Sequence, residues 1–359
     1  MDDGDGACCG GTITIMFQPP PFHDRRPGLV APVRLDDRGV AGPTRGQARG
    51  PRWRTTSRGL VVPATVERTA AQRIVEAHAV LHGEEAVTGW AALHWEGAAW
   101  FNGTRDGAEP RDVPVLARRH LVAQQGFTVS QEFLAPADIS VVDGLAITQA
   151  LRSVTFEMRY ADRLGDAVVA LDMACYSDLV SLAEVAKYVA GLGPVTGIQQ
   201  ARDAVALGEE NSWSPQETRM RGVWTRRAGL PRPRCNVPVF TLEGRHVGTP
   251  DLFGGIGLVG QYNGSAHLNV AGAATDIKKE AAYRDLGLET VTMVASDWAD
   301  LDDFVARLRS AARRARAHTG PRGWTLDPPD WWTSTATVAQ RRALGDAEKR
   351  RYLGYRRAA

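Results

Sequence analysis

Lysine is nearly missing from this 359-residue chain: Lys187, Lys278, Lys279 and Lys349 stand alone, and arginine supplies the rest of the 43 basic residues. That skew reads as the mark of a GC-rich genome. Against 41 acids it leaves a net charge of +2, too small to announce a nucleic-acid binder, so any such role rests on local patches. Cysteine is sparse as well. Cys8, Cys9, Cys175 and Cys235 lack the paired spacing of a metal site or a disulfide framework, and a reducing cytoplasm is the expected compartment. No apolar run approaches the roughly twenty residues that cross a bilayer, so no membrane association is expected. The opening residues are acidic and glycine-rich, so no leader is expected either. Nothing repeats at a fixed period, so a solenoid is not expected.

What is present is an ordinary globular composition, 43% apolar and 23% charged, over a length that suits two or three domains. Residues 1–30 read as a disordered tail with a Pro19-Pro20-Pro21 run. Residues 31–63 carry Arg45, Arg49, Arg52, Arg54 and Arg58 around Trp53, a set that either tracks a phosphate backbone or forms a polar loop leading into one strand. Gly and Pro are too frequent there for a full helix-turn-helix. Residues 64–210 read as mainly helical with a small sheet. An amphipathic helix is expected over 65–81, a tryptophan-bearing helix over 87–100, and short strands over 113–116, 127–133 and 139–142. Successive helices follow over 146–160, 165–176, 181–190 and 197–207. Residues 319–359 read as a draped extension in which Trp331 and Trp332 dock on a preceding domain and a basic helix covers 337–355.

The most informative stretch is 211–318. Ser214-Pro215-Gln216-Glu217 opens a helix with a cap, a first-turn proline and an acid. Strands are expected over 236–240, 246–253 and 256–262, then a helix over 276–286, a strand over 289–295 and an arginine-rich helix over 300–316. The fold class is therefore α/β, or α+β overall.

The order helix, three strands, helix, strand, helix, with Asp251 closing the second strand, resembles the restriction-endonuclease-like, PD-(D/E)XK fold. The narrower resemblance is to the very-short-patch-repair-like nuclease domain at the C-terminus of many actinobacterial proteins. It is carried by Ser214-Pro215 with Glu217-Thr218-Arg219, Gly229-Leu230-Pro231 leading to Asn236-Val237-Pro238-Val239, Gly248-Thr249-Pro250-Asp251-Leu252, Gln261-Tyr262-Asn263-Gly264 with His267, and Asp276 with Lys279 before Leu286-Gly287. The parts before residue 211 are similar to AbiEi-type antitoxins, with 31–63 as a reduced winged-helix-like segment. The resemblance implies a C-terminal αβββαβ core with a mixed sheet, DNA as a partner, and a toxin partner encoded nearby.

It also implies Mg²⁺-dependent phosphodiester hydrolysis, with Asp251 as direct ligand and Glu217 and Gln261 completing the metal shell. His267 would act near the leaving oxygen and Lys279 would neutralise phosphate. This chain departs from the pattern at Gln261 and Asn263, where the relatives carry Glu and Asp. Two negative charges are gone, so a degenerate site is expected. Two functions stay open: an endonuclease, or a non-enzymatic antitoxin-like or transcriptional DNA-binding regulator.

Three other patterns carry less. His78 and His82 lie one turn apart with Glu85 nearby, but a helix end explains them better than zinc. Gly255-Ile256-Gly257-Leu258-Val259-Gly260 matches a dinucleotide fingerprint, yet the residues after it read as a strand and turn where a helix N-terminus is needed. Asp162, Asp166, Asp172 and Asp178 read as helix-terminal, exposed acids.

Overall fold

The computed structural model describes residue 17 and residues 19–105, 107–264, 270–354 and 356, with 270–277 described in backbone only. The chain is mixed α/β and divides into two units, residues 1–87 with 111–147, and residues 88–110 with 148–359. Among the described residues no helix is long and apolar enough to cross a membrane.

The first unit is built on two sheets. Val33–Arg34, Leu60–Pro63 and Trp53–Ser57 form an antiparallel three-stranded sheet in that order. The segment 31–63 thus holds three strands and a short helix, Arg45–Ala48, more structure than the polar loop leading into one strand that is one of its two sequence readings. Five further strands pair in the order Phe127–Ser130, Val113–Leu116, Ala86–Val87, Leu145–Thr148, Ile139–Val142. The amphipathic helix spans Ala70–His78, shorter than expected because the Thr69 hydroxyl caps it by accepting from the Gln72 N–H. Ile74, Val75 and Ala77 bury its apolar face.

In the second unit, Gly89–Trp95 carries the fully buried Trp90 and Trp95. The expected helix over 146–160 resolves into strand Leu145–Thr148 and helix Ala150–Tyr160. Helices Leu164–Tyr176, Leu182–Gly191 and Ile198–Leu207 then follow close to their expected places.

Beyond them comes helix Pro215–Gly222 and a mixed four-stranded sheet, Arg234–Cys235, Leu252–Gly254, Leu258–Asn263, Glu289–Val294. The first three strands are antiparallel and the last two parallel, the reversal being made by helix Val270–Asp285. Side-chain alternation sends the two faces of this sheet into separate cores. Leu252, Leu258, Val291 and Met293 pack with Met220, Trp224 and the Leu301–Ala317 helix through Phe304 and Leu308. On the opposite face, Phe253 and Val259 pack with Tyr283 and Leu288.

Two expected strands are broken. The 236–240 run splits because Asn236 takes φ 47, a left-handed backbone that interrupts pairing, and Pro238 follows it. The 246–253 run splits at Pro250. Val239–Thr241 and His246–Gly248 consequently leave the main sheet and form one of their own, in which Val239–Thr241 is the central strand between His246–Gly248 and Trp324–Thr325. The C-terminal segment lies over this small sheet, with Phe240 meeting Trp331 and Trp332 edge-on at 6.0 and 5.2 Å. It ends in helices Val338–Ala343 and Asp346–Tyr352.

Asp172 corrects the reading of exposed acids. Its carboxylate is fully buried, paired with Arg221 at 2.8 Å. Asp178 is also engaged, bonding Arg341 and Arg356 at 2.7 and 2.6 Å. The burying partners lie 49 to 178 residues away, a distance no local pattern registers.

Candidate functional site

Glu217 occupies the first turn of the Pro215–Gly222 helix, where Ser214 caps by accepting from the Glu217 N–H at 3.2 Å. The carboxylate is buried and both oxygens are engaged. Oε1 accepts from the Ser214 hydroxyl at 2.9 Å, and Oε2 accepts from the Trp213 N–H at 2.8 Å and the Asn236 amide at 2.7 Å. Burial pushes its pKa up while these donors pull it down. Physically, Glu217 is a clasp: it ties the helix start to the left-handed residue that ends the first sheet strand.

Asn236 continues the chain of contacts. Its side-chain nitrogen also donates to the Asn211 carbonyl at 2.8 Å, and its backbone N–H donates to the Asp251 carbonyl at 3.1 Å. Asp251 itself accepts from the Tyr262 N–H through Oδ2 at 2.6 Å. Residues 217, 236, 251 and 262 are thereby linked by consecutive hydrogen bonds along one end of the mixed sheet.

The register supplies the rest. Leu252 pairs with Gly260, and the next residues outward are Asp251 and Gln261. Tyr262 packs toward Met293 and Trp224, so its neighbours Gln261 and Asn263 lie on the other face, the one covered by the Val270–Asp285 helix. Gln261 pairs in register with Thr292, whose hydroxyl bonds Glu280 Oε1 at 3.2 Å. Burial, and after it the Asp251 charge, raises the pKa of Tyr283, one turn on from Lys279. Lys279 adds its charge to the burial that depresses the His246 imidazole.

Asp251, Gln261 and Asn263 therefore share a sheet end, with Lys279 and Glu280 on the helix that covers that face. Glu217 is linked to the group through Asn236, and His267 lies outside the described residues. Among the described residues, no cluster of three or more His, Cys, Asp or Glu side chains is placed to hold a metal ion. Sequence reasoning missed Asn236 and Glu280. Glu280 stands next to Lys279 in a helix already singled out, whereas Asn236 falls at the start of an expected strand and its left-handed backbone has no local signal.

The Gly-rich run 255–260 forms the turn and second strand of the 252–263 hairpin, with Gly257 at φ 85. His78 is half-buried, its pKa lowered by desolvation, and its Nε2 accepts from the Ala146 N–H at 3.2 Å. The first unit also holds an open cleft of about 530 Å³ lined by Arg54, Arg58, Arg68 and Arg73. Arg54 is tied to Glu76 by two bonds of 2.9 and 2.7 Å. Ser57, 4% exposed, lines the same cleft with a hydroxyl that makes no hydrogen bond.

Comparison with known protein families, with curated proteins and with solved structures finds no match to this chain.

Proposed function

We propose that the chain is a DNA-directed protein whose residues 211–318 form a restriction-endonuclease-like core adapted to binding rather than cutting. The observation that carries the reading is that Asp251 and Gln261 flank the terminal pair Leu252 and Gly260 at the end of a mixed sheet, while the other acid, Glu217, is engaged in three hydrogen bonds. Helix, strands, helix, strand, helix around that sheet is the order expected of such a core.

Mg²⁺ is the ion such cores use to activate water and offset phosphorane charge. The donor set among the described residues does not suit a resident Mg²⁺. Asp251 offers one carboxylate with an oxygen already bonded, and Gln261 and Asn263 offer only neutral amide oxygens. The arginine-lined cleft of the first unit supplies cationic surface suited to a phosphate backbone. Both features favour the regulatory branch, an antitoxin-like or transcriptional binder, over an active nuclease.

Restoring the acids tests this directly. Gln261→Glu with Asn263→Asp adds two negative charges beside Asp251, so titration calorimetry should detect Mg²⁺ binding in the double variant and none in the wild type. Equal Mg²⁺ binding by both proteins would overturn the reading of a degenerate site.

A further inference from the structure

The second unit holds a recess of about 240 Å³ walled by Trp213, Trp331, Trp332 and Tyr352, with Asn236 in its lining and Arg351 among its residues. Its volume falls below the roughly 300–1,000 Å³ of pockets for drug-sized ligands, which suits a single ring system. Trp331 is 60% exposed, unusual for the largest apolar side chain, and stands edge-on to Trp332 at 5.7 Å.

Asn236 defines what such a ring must present. The residue is 3% exposed, and its amide nitrogen is committed to Glu217 and Asn211, which fixes the amide orientation. Its Oδ1 accepts no hydrogen bond, although a buried carbonyl without a donor is costly. A ligand that answers this lining has flat apolar faces and an edge that donates an N–H. Arg351 is exposed, lies over the Tyr352 ring at 5.2 Å, and adds a cation suited to an attached phosphate. A nucleotide has all three properties.

We infer that this recess takes one unpaired nucleobase, stacked on Trp331 and donating to Asn236 Oδ1, with its phosphate near Arg351. The inference rests on the proposal that the chain binds DNA, and it names the part of the strand that enters. Base-on-aromatic stacking is sequence-tolerant, so the recess reads an unpaired base more than its identity.

The test uses the full chain and three probes: a fluorescein-labelled duplex with one bulged adenine, the same duplex fully paired, and dAMP. Anisotropy should give the wild type about tenfold tighter binding to the bulged duplex, the size expected from losing one stacking partner. Trp331→Ala should reduce that preference to within about twofold while keeping paired-duplex affinity, and Arg351→Ala should weaken binding to both the bulged duplex and dAMP. Trp331 and Arg351 are exposed, and unchanged melting curves would establish that the variants fold. No preference in the wild type, or an undiminished preference in Trp331→Ala, overturns the inference and leaves the DNA proposal standing. Binding of dAMP that depends on Trp331, without binding to either duplex, keeps the recess and removes the DNA proposal. Binding to none of the three removes both.

Discussion

The buried pair Asp172 and Arg221 gives the sharpest prediction about stability. Asp172 Oδ2 accepts from Arg221 Nη2 and from the Thr218 hydroxyl, each at 2.8 Å, and Oδ1 accepts from the Glu209 N–H at 2.7 Å. The Arg221 guanidinium also donates to the Leu207 carbonyl at 3.0 Å and contacts Cys235 Sγ at 3.7 Å. Side-chain exposure is 5% for Arg221 and 0% for Asp172, so water cannot replace a lost partner. Asp172→Asn keeps the shape and removes the charge, leaving a buried cation uncompensated. Breaking such a pair costs about 3–5 kcal/mol, whereas replacing both partners by apolar groups is often near neutral. Asp172→Asn should therefore lower the unfolding free energy by about 3–5 kcal/mol, and Asp172→Leu with Arg221→Met should recover most of it. Urea unfolding followed by tryptophan emission is the suitable assay, because every tryptophan except Trp53 lies in this unit. A loss under about 1 kcal/mol in Asp172→Asn, or a double variant as damaged as the single, would refute the reasoning.

Two further outcomes follow from buried groups. Burial pushes the Glu96 carboxyl up to about 7, and its Oε2 has no hydrogen-bond partner. Below the ordinary carboxylate range both folded and unfolded forms hold the proton. As pH rises toward 7 only the folded form does, so stability falls across that window by about 1–2 kcal/mol after allowance for partial solvation. Glu96→Gln should flatten this dependence in melting curves taken from pH 4 to 8. Gly248 lies against Tyr283, where an added Cβ would meet the tyrosine oxygen at 2.4 Å, and that buried hydroxyl has no partner. Gly248→Ala should cost about 1–3 kcal/mol, and adding Tyr283→Phe should restore much of it. Chemical denaturation of the two variants checks both statements.

The order of elements over 211–318 was legible in the sequence because its signals are local. Ser214 and Pro215 mark a helix start, Glu243-Gly244-Arg245 a hairpin, and the Thr and Val of Glu289–Val294 a strand. The division of the strands between two sheets was not legible. It turns on the left-handed backbone of Asn236, which is held by Asn211 and Glu217 from 25 and 19 residues away. The polar residues divided in the same way. Asp251 and Gln261 fall together because hairpin register is set locally, whereas the clasp role of Glu217 and the burial of Asp172 depend on long-range packing.

The central claim, that this core binds DNA without cutting it, meets its most direct measurement in one reaction mixture. Supercoiled plasmid and a labelled duplex of matching sequence are incubated with the wild type and with Asp251→Ala, in Mg²⁺ and then in Mn²⁺. Salt-sensitive duplex binding by both proteins and intact plasmid throughout are the expected results. Metal-dependent nicking by the wild type that disappears in Asp251→Ala would contradict the claim.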